Sequence, residues 1–318
     1  MVGPNGTTAQ PARWRPTERP ADIGAARAYL ADDYPAYISW AINPVDGARE
    51  GTQMSSPKVA VITGGASGIG LATGRALAER GWNIVLADVE DNRLAGAAKE
   101  LGSISQAIGV STDVRDYEAV QALAQAAYAH FGNVDMVFNN AGVATSGPIA
   151  EMTHDDWKWI IDVDLWGPIH GVEAFLPRML EAGATGHLIF TSSFAGLVPN
   201  IGLGPYTVAK YGVVALAEVL HRELRDTGIG VSVLCPMRVA TDIGSSQRNR
   251  PAELGGPASR RPPPPQEREL RGDVLDVDTV ARQVVDAIGT SRLYILPHEE
   301  SRQMIERRFA RISRAFQQ

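Results

Sequence analysis

The chain has 318 residues, 44% of them hydrophobic, enough to bury one large α/β core with a tail in addition. Its formal charge of −6 is spread along the sequence without a basic stripe, so neither nucleic acid nor an anionic membrane is an expected partner. The single cysteine, Cys235, and six histidines without ligand spacing argue against a disulfide scaffold or a metal site, and no apolar run approaches the ~18 residues of a membrane span, so a cytoplasmic protein is the default.

Residues 1–57 are rich in Pro, Gly, Arg and Asp and carry no strand pattern, with one short candidate helix near 25–40. They read as a flexible N-terminal extension, and Met54, just before the first strong strand, is a candidate translation start. From Lys58 onward, short apolar runs alternate with helical periodicity, the βαβ signature of a doubly wound parallel sheet. The predicted strands are Val59–Thr63, Asn83–Asp88, Gln106–Thr112, Val134–Asn139, His187–Thr191, Gly230–Leu234 and Arg292–Leu296. Thr153 to Glu181 reads as one long helix, N-capped by Thr153, with Asp155 and Asp156 in its first turn and bends at Pro168 and Pro177. The stretch 244–272, with Pro262 to Pro265 and several arginines, is too polar for a core element and is predicted to be a mobile, variable loop. Residues 298–318 suggest a terminal amphipathic helix, which leaves 58–297 as the main domain.

The chemistry is concentrated at the C-terminal ends of these strands. Gly64, Gly68 and Gly70 form T-G-x-x-x-G-x-G between the first strand and a helix starting near Ile69. Such a turn lets backbone approach a pyrophosphate, while the helix N-terminus offers free N–H groups and a partial positive charge. Asp88 closes the second strand eighteen residues after Gly70, where a carboxylate can accept both hydroxyls of an adenosine ribose and repel a 2′-phosphate. Neither Ser67 nor Val89 supplies a cation for such a phosphate, so NAD is favoured over NADP. Tyr206 and Lys210 are spaced i, i+4 on one helix face, with Ser193 thirteen residues upstream of Tyr206. A phenol has a pKa near ~10, so a base working near neutrality needs it lowered by about 3, worth about 4 kcal/mol, and a nearby ammonium is the simplest source.

In this order and at these spacings the motifs resemble those of a classical short-chain dehydrogenase/reductase, over about Lys58 to Ile295. The resemblance implies a single Rossmann-type domain with a seven-stranded parallel sheet, assembled as a homodimer or homotetramer through its two long helices, here near Thr153 to Glu181 and Tyr206 to Asp226. It implies Tyr206 as general acid/base, Lys210 lowering its pKa and holding the nicotinamide ribose, and Ser193 binding the substrate oxygen. Gly64, Ser67, Gly68, Ile69, Gly70, Asp88, Asp113, Val114, Asn140, Ala141, Gly142, Val239 and Thr241 would join Tyr206 and Lys210 in holding the dinucleotide.

Two positions depart from the family. Asp164 stands where the family has an asparagine that binds a relay water behind the lysine; an aspartate stabilises the charged lysine and opposes a nearby phenolate. Met237 follows Cys235-Pro236 where glycine is common, and with Phe194, Val198, Pro199 and Leu203 it suggests an apolar substrate pocket. The leading expectation is an NAD-dependent oxidoreductase interconverting a secondary alcohol and a ketone. A dinucleotide-binding regulatory or scaffold protein impaired through Asp164, and an NADP-dependent ketone reductase, stay open.

Overall fold

The structure, a computed structural model, describes residues 56–183, 185–257 and 272–317; the extension up to residue 55 and the proline-rich part of the 244–272 loop lie outside the described residues. Seven parallel strands form one sheet in the order β3-β2-β1-β4-β5-β6-β7. They are β1 Val59–Thr63, β2 Asn83–Asp88, β3 Ala107–Ser111, β4 Met136–Asn139, β5 Gly186–Thr191, β6 Ile229–Leu234 and β7 Tyr294–Ile295. All seven predicted strands are present, with ends moved by up to two residues. The edge strand β7 is the shortest because it pairs only through Val233 with Tyr294 and Leu234 with Ile295.

Burial of both sheet faces explains why the central strands read as unbroken apolar runs. Along β1 the side chains alternate between two cores: Val59 and Val61 pack in one, Ala60 and Ile62 in the other. The first core is covered by α3 Tyr117–Phe131, α4 His154–Ile161, α5 Gly167–Glu181 and α6 Gly204–Glu223. The second lies beneath α1 Gly68–Ala78, α2 Asp91–Gly102 and α7 Val277–Val285. A last helix, α8 Ser301–Arg314, covers most of the predicted terminal helix.

The predicted long helix is not continuous. Thr153 caps it as expected, its hydroxyl accepting from the Asp156 N–H (3.1 Å) while the Asp156 carboxylate accepts from the Thr153 N–H (2.8 Å). Between α4 and α5, however, Asp162–Trp166 forms a π turn in which the Gly167 N–H donates to the Asp162 carbonyl. Pro168 has no N–H for the regular ladder at this point, and an inserted residue is one way a helix passes such a gap. That turn carries Asp164. At Pro177, by contrast, α5 continues.

The described part of the 244–272 stretch is more ordered than its polarity suggests. Asp242–Asn249 and Ala252–Leu254 are short 3₁₀ helices, and Ser246, Arg250 and Leu254 are buried. The cause is an ion pair at 2.6 Å between Arg250 and Asp156 of α4, which gives the arginine a buried partner that composition cannot reveal.

Candidate active site

The C-terminal ends of β1, β4 and β5 are stitched together by polar side chains. The Thr63 hydroxyl accepts from the N–H groups of Asn140 (3.0 Å) and Ala141 (3.1 Å). The Asn140 amide donates to the Thr63 carbonyl at 3.1 Å and accepts from the Thr191 hydroxyl at 2.9 Å. Asn140 therefore fixes the rim as well as lining the cleft above it. The glycine turn sits against this rim. Gly64 and Gly68 adopt φ of +62° and +55°, and a Cβ on Gly64 would lie 2.8 Å from the Ala141 Cα. Gly70 lies inside the turn, where a Cβ would approach the Gly64 carbonyl oxygen to 2.3 Å. Ser67 is the N-cap of α1, yet its side chain caps nothing, so the first-turn N–H groups remain available to an anion.

Asp88 faces this turn and is held rigidly. Its Oδ2 accepts from the Ala66 N–H and its Oδ1 from the Glu90 N–H, both at 3.1 Å. Each oxygen keeps a lone pair for a further donor, as binding two vicinal hydroxyls requires. Asp113 follows β3 and is clasped by Arg115 at 2.7 Å, with Val114 buried beside it. One cleft is lined by Gly64, Ser67, Gly68, Ile69 and Asp88 at one end and by Asp113, Val114, Asn140, Ala141 and Gly142 along its floor. Tyr206, Lys210 and Thr241 line it as well. Val239 stands just outside, in a loop bridged to Leu275. A turn that cannot accept a Cβ, an uncapped helix start and a fixed carboxylate together suit a dinucleotide.

At the other end, Lys210 projects from α6 and is almost fully buried. Its Nζ donates to the Thr191 carbonyl at 3.0 Å, stands 3.5 Å from Asp164 Oδ2, and lies 5.5 Å from the Tyr206 ring centre. Asp164 is completely buried; its Oδ1 accepts from the Val143 N–H at 2.8 Å, and Oδ2 has no hydrogen bond shorter than its ion-pair contact with Lys210. Burial raises the Asp164 pKa above the usual carboxylate value, with Lys210 and the Val143 N–H acting against that rise.

Tyr206 is buried with Ser193 beside its phenol, and the Ser193 Oγ accepts from the Ala195 N–H at 3.1 Å and donates to the Pro236 carbonyl at 3.5 Å. Its phenol is held above its ordinary pKa, first by burial and then by the Asp164 charge, while the Ser193 bond pulls the other way. The expected lowering by Lys210 is thus not the dominant influence here, because the ammonium lies closer to Asp164 than to the phenol ring. Ser192, next to Ser193, donates to the Lys210 carbonyl at 2.8 Å and ties β5 to α6. Cys235 is a buried thiol pushed up to about 12 by desolvation.

Phe194, a predicted pocket residue, is only 2% exposed and belongs to the core behind Ser193. Ile149 and Ile201 are exposed apolar groups, at 63% and 69%; Ile149 packs against Gly204, where a Cβ would meet it at 2.4 Å. Sequence reasoning also missed Glu90, Arg248 and Asn249, which line the cleft beside Asp88. Ser67 and Val89 supply no cation at the ribose end, but Arg248 stands in the same cleft, arriving from a segment 158 residues beyond Glu90 in the chain. No local signal in the sequence announces that approach.

The fold and cleft define a dinucleotide-binding oxidoreductase of the Rossmann type, and similarity to known proteins makes this specific. Residues 58–252 match the family described as short chain dehydrogenase, and the chain belongs to the short-chain dehydrogenase/reductase family. It is 35% identical to a C alpha-dehydrogenase of a Sphingobium species, over 80% of this chain and 85% of that protein. It is 34% identical to a 1-deoxy-11-beta-hydroxypentalenate dehydrogenase of Streptomyces avermitilis, over 77% of this chain and 86% of that one. Among solved structures, a short-chain dehydrogenase/reductase from Burkholderia phymatum in complex with NAD aligns with a TM-score of 0.76 and 38% identity, covering 81% and 95% of the two chains.

Proposed function

We propose that the protein is an NAD-dependent dehydrogenase that interconverts a secondary alcohol and a ketone, using Ser193, Tyr206 and Lys210. The observation that carries this reading is that buried Tyr206 and Lys210 line one end of a cleft whose other end presents Asp88, with half-buried Ser193 beside the phenol. Ser193 positions the substrate oxygen, and Tyr206 removes its proton in oxidation or returns it in reduction. NAD, when bound, supplies the hydride acceptor. Lys210 places a positive charge beneath the phenol and is itself fixed by the Thr191 carbonyl and Asp164. Asp164 occupies the relay position behind Lys210 and sets how much of the lysine's field reaches Tyr206.

The fixed carboxylate of Asp88 favours NAD over NADP. Ile149, Ile201, Leu203 and Met237 favour an apolar substrate, and the relatives' names, both dehydrogenases, fit that chemistry. The exposed apolar residues Trp166 at the π turn, Leu180 on α5, and Val208 and Val219 on α6 support assembly as a homodimer or homotetramer. Turnover tests the reading: the purified protein and Tyr206→Phe are assayed with NAD and NADP against a panel of secondary alcohols. Turnover by the native protein alone, with NAD, is expected. Turnover by both, or by neither despite tight NAD binding, would defeat the mechanism.

A further inference from the structure

Beside Asp88, the ribose end of the cleft contains a closed set of charges. Glu90, two residues beyond Asp88, receives Arg248 Nη2 at 2.6 Å and Asn249 Nδ2 at 3.0 Å on Oε1. On Oε2 it receives Arg93 Nε at 3.2 Å and Arg248 Nε at 3.4 Å. The Nη1 of Arg248 is engaged by its own segment, donating to the Ser245 hydroxyl at 2.8 Å and the Asp242 carbonyl at 3.3 Å. Asp88, Glu90, Arg248 and Asn249 all line the same cleft, and the Glu90 N–H donates to the Asp88 carboxylate. A guanidinium is the side chain best suited to grip a phosphate, with its planar fork of donors. Here that fork is turned onto a carboxylate.

Building on the dinucleotide reading above, we propose that Glu90 is a cofactor-specificity residue: it withholds Arg248 from the position of a ribose 2′-phosphate, so that the cleft refuses NADP through two adjacent carboxylates and a sequestered guanidinium. The arrangement makes Arg248 a latent phosphate ligand. The Glu90 carboxylate lies below its usual pKa, chiefly through the Arg248 bond, so the pair is ionised at neutral pH. Glu90 is also the N-cap residue of α2, yet its side chain makes no capping bond, so truncating it takes no cap from the helix. Arg93 keeps a second partner, Asp242 at 2.8 Å, which holds the 242–249 segment in place when Glu90 is shortened.

The test uses the full chain and direct binding. NADH and NADPH are titrated by dinucleotide fluorescence into the native protein, Glu90→Ala, and the double variant Glu90→Ala/Arg248→Ala. In Glu90→Ala the ratio of the NADPH to the NADH dissociation constant is expected to fall about tenfold or more, as one new charge-assisted contact to phosphate predicts. The double variant should lose most of that gain. An unmoved ratio in Glu90→Ala overturns the proposal. So does a gain that survives removal of Arg248, which would assign the discrimination to carboxylate repulsion alone. Glu90→Gln, which keeps the side-chain volume and removes the charge, serves if the alanine variant folds poorly. A native protein that binds neither nucleotide defeats the dinucleotide reading itself, whereas one that binds NADH while Glu90→Ala leaves the ratio unchanged defeats only the specificity role.

Discussion

Replacing Asp164 by asparagine removes a buried negative charge and leaves the side-chain volume almost unchanged. Asp164 Oδ2 lies 3.5 Å from Lys210 Nζ, which lies 5.5 Å from the Tyr206 ring centre, so the carboxylate and the ring are at most the sum of those distances, 9.0 Å, apart. At an effective dielectric of about 20, two like charges at that separation interact by about 1.8 kcal/mol, equivalent to roughly 1.3 in pKa. The Asp164 charge raises the phenol's pKa, so its removal lowers it, and Lys210, relieved of its counter-ion, acts in the same direction. Oxidation needs the phenolate, so its rate climbs with pH through this pKa. In Asp164→Asn the midpoint of that rise in kcat/KM is expected to move down by roughly one pH unit, with NAD affinity retained. The assay is the pH profile of NADH formation for the two proteins side by side. A midpoint that stays put or moves upward would refute the electrostatic role given to Asp164.

Other perturbations probe the frame around the site. Gly70→Ala places a Cβ 2.3 Å from the Gly64 carbonyl oxygen and 2.7 Å from the Asn140 amide; it is expected to weaken dinucleotide binding and to cost about 1–3 kcal/mol, read by titration and thermal melting. Arg250→Met breaks the buried 2.6 Å pair with Asp156 and is expected to cost about 3–5 kcal/mol in urea unfolding near neutrality. Burial works to raise the Asp156 pKa, but Thr153 and Arg250 bring it below the usual value; the stabilisation is therefore present above the normal carboxylate range and lost as pH falls through the lowered folded value, so the deficit of Arg250→Met should shrink in acid. His187 is buried with its pKa lowered from 6.5 to about 4, so the unfolded chain takes up a proton first as pH falls. That one group should remove roughly 3 kcal/mol of stability between those two pH values, and His187→Gln should flatten the loss measured by melting across the window.

The parts legible in the sequence are those specified by local pattern. β1 and β2 could be bounded because their apolar runs end at Thr63 and Asp88, and the glycine turn because Gly64 and Gly68 need positive φ. The Thr153 cap was visible as a residue type followed by two carboxylates. The break at Asp162–Trp166 was not: the proline at 168 pointed to a bend, whereas the chain inserts a residue ahead of it, a choice that the local pattern does not encode. The order of the 242–254 segment was hidden for another reason: polar residues become core residues only with a partner, and Asp156 lies 94 residues from Arg250 in the chain. The same long-range pairing concealed Arg248 beside Glu90. Even the Tyr206–Lys210 spacing, visible at once, did not disclose that the ammonium would stand nearer to Asp164 than to the phenol ring.

In the proposed reaction a hydride passes from a carbinol carbon to NAD while Tyr206 takes the hydroxyl proton. A secondary alcohol accepted in the panel, deuterated at the carbinol carbon, is incubated with the protein and NAD, and the nucleotide product is analysed by mass spectrometry. NADH carrying one deuterium is expected, formed by the native protein and not by Tyr206→Phe. Ketone formed with the deuterium released to water, or label transferred equally by Tyr206→Phe, would contradict that reaction.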